Sequence, residues 1–171
     1  MIKKVVAYIT NLWYIVFDSR GDNIMGVNIL DVAKYLICMC NKNGDEITQL
    51  RLQKLLYFIE AYYMVSFDKN YLYNEDFYAW TYGPVCKEVY DKYKGFMDSP
   101  IIEENCDSVV VFEEDVVNTI EEIYKVFGKL STTKLIKLTH MKNSPWYNTS
   151  TNSKNTISKK ETKVWFKENF C

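Results

Sequence analysis

The sequence has little of what enzymes and metal sites are usually built from. It contains one histidine, His140, and six glycines in 171 residues. It has no Cys-x-x-Cys, His-Glu-x-x-His, glycine-rich phosphate loop or Gly-x-Ser-x-Gly element. A nucleophilic pair of Cys86 and His140 rests on two isolated residues without a third group to orient them. These absences predict a protein that is not an enzyme and that binds no metal or cofactor.

Cysteines and long apolar runs are also scarce. Five cysteines, an odd number at irregular spacing, do not form the dense framework of a secreted disulfide-rich protein. Cys38 and Cys40 lie two positions apart, so on a helix they point to different sides and cannot share a metal. No stretch reaches the ~18 apolar residues of a membrane span. We therefore expect reduced thiols, a cytoplasmic location and no membrane partner.

The first 27 residues differ from the rest of the chain. An apolar run after Lys3 and Lys4 imitates a signal peptide, but polar residues interrupt it and no small-residue cleavage site follows. The codons of residues 20–22 can form a purine run resembling a ribosome-binding site, which places Met25 at the usual distance for a start. We expect residues 1–27 to be either untranslated sequence upstream of Met25 or a disordered extension, and residues 28–170 to form one domain.

Charge is unevenly distributed although the net charge is only −1. Residues 97–122 contain nine acidic residues and no Lys or Arg, whereas residues 129–171 contain nine lysines against two glutamates, a local charge of +7. The small net charge predicts no direct binding to nucleic acid or anionic lipid. The two charged regions are either solvated faces or, for the acidic one, a surface that attracts a basic partner.

Capping residues and 3-4-spaced apolar residues predict a mainly α fold, a compact bundle of about six helices. Asn28, Thr48, Ser131 and Ser158 are each placed to cap a helix. The expected helices are 28–42, 49–66, 84–94, 114–127, 132–140 and 159–169. The polar stretch 143–155 is predicted to be a loop.

A small two-stranded β element is predicted near 77–82 and 108–112. Residues 77–82 alternate in the manner of a strand, and residues 108–112 read SVVVF. Gly83 can adopt a sharp turn, and Pro84 suits the first position of a helix. The sequence thus predicts a strand, a turn at Gly83-Pro84 and a helix that starts at once.

Several side chains are candidates for contact with another molecule. Gln53 and Tyr57 are spaced i, i+4 and share a helix face, which Lys54 flanks; the alternative is a solvated helix edge. Trp146 follows a proline and is either a plug for its loop or a rigid aromatic anchor.

Five stretches, in order, carry a family resemblance: DVAKYL, LRLQKLLYFIEAYYM, AWTYGPVCKEVYDKYK, LSTTKLIKLTH and SPW. Together they closely resemble the Panacea domain, the SocA-like and GepA-like antitoxin family, over residues 28–170. The resemblance implies a non-catalytic bacterial or phage protein, encoded beside a toxin that it neutralises by direct binding. Some members resemble adaptors that deliver the toxin to a protease. Many carry an additional DNA-binding helix-turn-helix, for which residues 1–27 are too short.

The resemblance also suggests a binding site. Trp80 and Tyr82, fixed by the structural turn at Gly83 and Pro84, are expected near other residues of the same motifs. These are Gln53, Lys54, Tyr57, His140 and Trp146. The alternative is that this cluster is part of the core. We expect an antitoxin that binds a toxin encoded nearby; the alternatives are an adaptor that passes a client to a host protease or chaperone, and a small enzyme using His140.

Overall fold

The computed structural model describes residues 27–152 and 155–171, and within them the fold is mainly α with one small sheet. This part of the chain contains seven α-helices, with a two-stranded hairpin between the second and the third. The helices are α1 (Ile29–Lys42), α2 (Gln49–Ser66), α3 (Lys87–Tyr93), α4 (Glu114–Phe127), α5 (Thr132–Thr139), α6 (Pro145–Thr151) and α7 (Lys159–Phe170). The strands are β1 (Phe77–Trp80) and β2 (Gly83–Cys86). The expectation about Met25 lies outside the described residues.

The predicted caps define most helix starts. The side chains of Asn28, Thr48, Ser131 and Ser158 accept backbone amide hydrogen bonds in the first turns of α1, α2, α5 and α7. Each satisfies an amide that has no partner within its helix. These four helix starts are confirmed to within one residue.

Helix α2 is the centre of the domain. It contacts α1, α4, α5, α7 and the hairpin, and every residue from Leu52 to Ala61 is buried. At one side, Phe58 stacks on Phe127 with ring centroids 4.6 Å apart, and Phe166 and Phe170 of α7 complete an aromatic cluster. Other elements therefore cover α2 on all sides, whereas a surface helix buries only a single apolar stripe.

The hairpin corrects two predictions. Strand β1 pairs antiparallel with β2 in the register Phe77↔Cys86 to Trp80↔Gly83, so Thr81 and Tyr82 form the turn. Pro84 lies within β2, and the helix expected at 84–94 begins only at Lys87. Residues 108–112 do not pair with β1. The neighbour on the other edge of β1 is residues 155–157, through Ala79 N to Asn155 O and Ile157 N to Phe77 O, both 2.8 Å.

Two further expectations were wrong. The stretch 143–155 contains α6, which Ser144 caps and Pro145 opens. Cys38 and Cys106 form a disulfide that attaches the acidic region to α1, so these two thiols are not reduced, whereas Cys40, Cys86 and Cys171 are free. Within the described part of the chain, no helix is both long enough and apolar enough to span a bilayer.

Candidate partner-binding corner

The turn of the hairpin presents two aromatic side chains to solvent. Tyr82 is 65% exposed and Trp80 is 37% exposed. The Trp80 ring also packs edge-on against Tyr90 of α3, with centroids 4.9 Å apart. The hairpin therefore exposes large apolar surface where only two residues connect its strands.

The junction of α5 and α6 forms the other half of this surface. His140, at the end of α5, stacks on Trp146 of α6 with centroids 3.5 Å apart and the rings almost parallel. Trp146 Nε1 donates a 2.8 Å hydrogen bond to the backbone oxygen of Trp80. This bond joins α6 to the hairpin. We call Trp80, Tyr82, His140 and Trp146 the aromatic corner.

Ser144 fixes the bend between α5 and α6. Its hydroxyl donates to Thr139 O at 2.7 Å and accepts from Tyr147 N at 3.1 Å. One buried side chain thus closes the end of α5 and caps the start of α6. The position of the His140 and Trp146 rings follows from this bend.

Gln53 supports the hairpin from the interior. Its Nε2 donates to Cys86 O at 3.1 Å, and its Oε1 accepts from Cys86 N at 2.8 Å. The side-chain amide pairs with β2 as a neighbouring strand would, so it satisfies both backbone groups of a buried residue. Gln53 is itself buried and cannot touch a partner in this conformation.

Lys54 is a fully buried lysine beneath the turn. Its Nζ donates to Pro84 O at 2.9 Å, and no ion pair to a carboxylate is formed by this amine among the described residues. Burial lowers the pKa of Lys54 from its ordinary 10.5 to about 7. The partial burial of His140 itself, and then the nearby charge of Lys54, lower the pKa of His140.

Gly83 lets the lysine approach the hairpin. Its φ is +105°, and a Cβ there would lie 2.8 Å from Lys54 Cε and 2.9 Å from Thr139 Oγ1. Thr139 Oγ1 already donates to Ile136 O. The absence of a side chain at Gly83 thus brings α2, β2 and α5 together directly below the aromatic corner.

The burial of Lys54 predicts a pH-dependent stability. Between pH 7 and 10.5 the unfolded chain binds a proton at this amine that the folded chain does not, so stability rises with pH. We expect the unfolding free energy of wild type, minus that of Lys54→Met, to increase by about 1 kcal/mol from pH 7.5 to 8.5. Urea unfolding at several pH values measures this.

Other titrating groups near Lys54 do not disturb this comparison. The pKa of His140 lies below its ordinary 6.5, outside the window. Burial raises the pKa of Cys86 to about 12, but wild type and Lys54→Met both carry this thiol, so its contribution cancels in the difference. The exposed control Lys142→Met is expected to keep the wild-type pH dependence. If the unfolding free energies of wild type and Lys54→Met change with pH in parallel, Lys54 is not a neutral buried amine.

Tyr57 lies in the core rather than in the corner. Its hydroxyl shares a 3.2 Å hydrogen bond with Thr162 of α7, and its ring packs on Phe77 with centroids 5.4 Å apart. Burial raises the pKa of its phenol. Tyr57 therefore connects α2 to α7 and β1, and its removal is expected to reduce stability.

The structure brings together most of the residues that the motifs predicted. Trp80, Tyr82, His140 and Trp146 form the surface, while Gln53, Lys54, Gly83 and Pro84 lie directly beneath it. Sequence reasoning did not single out Ser144 and Tyr90 as site residues. The Ser144-Pro145 pair, a cap followed by a first-turn proline, was the available signal for Ser144.

The catalytic alternative receives little support from the geometry. Burial raises the pKa of the Cys86 thiol, and its Sγ donates to Glu88 Oε2 at 3.1 Å. Such a thiol carries almost no nucleophilic thiolate at neutral pH. Across residues 27–152 and 155–171, no group of three or more His, Cys, Asp or Glu side chains is arranged to hold a metal.

Comparison with known proteins places these residues in a family. A family model described as antitoxin SocA-like, Panacea domain, matches residues 52–147, which include the whole aromatic corner and its support. Antitoxin SocA of Caulobacter vibrioides is 28% identical over 125 residues, covering 67% of this chain and 66% of that protein. The chain thus spans slightly less than two thirds of this relative's length. No solved structure matches the chain. Since the family model covers more than half of its residues, the chain belongs to the antitoxin SocA-like Panacea domain family.

Proposed function

We propose that this protein is an antitoxin that neutralises a toxin protein, encoded nearby, by binding it directly without chemistry of its own. The observation that carries the proposal is the aromatic corner, in which exposed Trp80 and Tyr82 are held by a backbone that buried side chains fix from below. Family membership supports the antitoxin role, and the corner supports the mode of action.

Rigidity makes the corner suitable as a binding surface. Trp80 is restrained by Tyr90 and by the bond from Trp146, and the strand after Tyr82 is held by Gln53 and Lys54. Preorganised aromatic side chains lose little entropy on binding and are frequent hot spots of interfaces. A toxin surface with a complementary apolar pocket fits this arrangement.

Tyr82→Ala tests the corner. We expect the Kd for the co-purified toxin to rise about 10- to 100-fold, mainly through faster dissociation, because an anchor of this kind contributes about 1.4–2.8 kcal/mol. Since Tyr82 is mostly exposed, the melting temperature should stay at the wild-type value. Surface-capture kinetics and thermal melting measure both quantities.

Phe67→Ala is the matched control. Phe67 is also an exposed aromatic residue, but it lies at the opposite end of α2, about 20 Å along the helix from Lys54. Its replacement should leave Kd within about twofold. Equal effects of Tyr82→Ala and Phe67→Ala would contradict a binding site at the corner.

Co-expression distinguishes inhibition from proteolytic delivery. Cells producing the toxin and this protein should grow whether or not the host ATP-dependent proteases are present, and the two proteins should co-purify. Growth that requires a protease, together with loss of the toxin from the cells, would instead support the adaptor role and overturn direct inhibition.

A further inference from the structure

One segment has the sequence of a strand but no strand partner. Residues 109–112, Val-Val-Val-Phe, are rich in β-formers. The backbone is extended on both sides of their centre, with φ −82° and ψ 141° at Val109, and φ −59° and ψ 152° at Glu113. We call residues 109–112 the valine segment. The segment thus begins and is followed by extended backbone, and it belongs to no sheet.

The backbone of the valine segment is open. Among the described residues, none forms a backbone hydrogen bond with residues 109–112, whereas Ser108 and Val116 on either side are bonded. Val111 is 95% exposed and Val110 is also exposed. Phe112 is directed inward, against Tyr35, with ring centroids 5.7 Å apart, and Val109 is half-buried. A row of unpaired amides and carbonyls beside exposed β-branched side chains is a template for pairing with another chain.

The valine segment is held at both ends. On its N-terminal side, Cys106 is bonded to Cys38 of α1, and Lys34 of α1 donates to Ser108. On its C-terminal side, α4 begins at Glu114. Fixed ends reduce the entropy that the segment loses when a partner strand adds to it.

The charges around the valine segment indicate which kind of strand can pair with it. The segment is flanked by Asp107 and Glu113 and lies in the region of nine acidic residues without a Lys or Arg. A second copy is disfavoured, because antiparallel pairing of two valine segments would bring Asp107 of each copy towards Glu113 of the other, and like charges repel. A strand that carries Lys or Arg beside apolar residues is favoured.

We infer that the valine segment binds an extended, basic segment of the toxin by β-strand addition, as a contact separate from the aromatic corner. This inference rests on the proposed function, since it names a second surface for the same partner. Main-chain hydrogen bonds supply affinity in this mode, and the alternate side chains and flanking charges supply selectivity.

Hydrogen exchange on the free chain and on its complex with the co-purified toxin tests the inference. In the free chain, the amides of residues 110–112 should exchange rapidly at both low and high protein concentration. In the complex, alternate amides should exchange at least ~10-fold more slowly. Protection of these amides in the free chain would overturn the inference. Protection that depends on protein concentration would indicate pairing with a second copy, and protection that does not would indicate pairing with another part of the same chain. A complex in which these amides stay unprotected would also overturn it.

Proline substitution gives a second readout. Val110→Pro and Val111→Pro each remove one amide hydrogen, and at least one of them should raise Kd about 10-fold, because one of two adjacent amides faces the added strand. Val110→Thr and Val111→Thr keep the amide and should bind like wild type. Melting should not change, since no described hydrogen bond is lost.

The outcomes separate the two proposals. Wild-type binding by both proline variants would overturn strand addition while leaving toxin binding at the aromatic corner intact. Failure of the wild-type chain to form any complex with the toxin would overturn the proposed function, and this inference with it.

Discussion

Gly83→Ala is expected to lower the free energy of unfolding by about 3 kcal/mol, through backbone strain and a displaced buried contact. An alanine at φ +105° is strained whatever the surrounding space. Its Cβ would also lie 2.8 Å from Lys54 Cε and 3.0 Å from Lys54 Nζ. Lys54 must then move, but it is fully buried, and moving it breaks its bond to Pro84. Urea unfolding near pH 7 measures the loss.

Gly44→Ala provides the matched control. Gly44 also has a positive φ, +72°, but nothing lies within 4 Å of a Cβ built there. Gly44→Ala should therefore lower the free energy of unfolding through backbone strain alone, by about 1 kcal/mol. If the two substitutions reduce stability equally, the packing between Gly83, Lys54 and Thr139 is not what makes this position selective for glycine.

Lys159→Met is expected to cost about 3–5 kcal/mol, because it leaves a buried carboxylate unpaired. Lys159 Nζ lies 2.7 Å from Glu60 Oε1 in α2 and also donates to Tyr73 O and Glu75 O. Glu60 is buried, and burial raises its pKa, an effect that Lys159 opposes. The substitution removes the opposing charge. Thermal and urea unfolding quantify the loss.

The pH dependence of this loss identifies its cause. Without Lys159, the pKa of Glu60 rises further, so protonation at acid pH relieves the unpaired charge and the deficit relative to wild type should shrink as pH falls. Lys160→Met removes an exposed lysine from the adjacent position and should change stability by less than about 0.5 kcal/mol. A deficit that is equal for both lysines, or constant with pH, would exclude the buried pair as its source.

Helix positions were predictable because their signals are local. A capping side chain acts within three residues of its own position, so Thr48 and Ser158 could be recognised without knowledge of the tertiary structure. The hairpin could not be predicted in this way, because Pro84 is compatible both with the start of a helix and with a short edge strand. Tertiary contact with Gln53 decided between them.

The sequence motifs named residues that meet at the aromatic corner, but not how they are arranged there, and Tyr57 lies in the core instead. Family motifs identified Lys54 and Trp80 together, yet a lysine is ordinarily a surface residue, and sequence alone could not place it beneath the turn. The unpaired state of residues 109–112 was likewise hidden, since β-propensity reports a local preference and not the presence of a neighbour. Both outcomes depend on contacts between residues far apart in the chain.

Residues 155–157, which bond the outer edge of β1, are synthesised well after the hairpin itself. Strand β1 ends at Trp80, whereas the residues that bond its open edge begin at Asn155. At 5–20 residues per second, translation of the intervening chain takes on the order of 4–15 s. During that interval the nascent hairpin has a bare edge at Phe77 and Ala79. The newly made chain therefore passes through a stage in which backbone groups of Phe77 and Ala79 are open to chaperones, until residues 155–157 bond them.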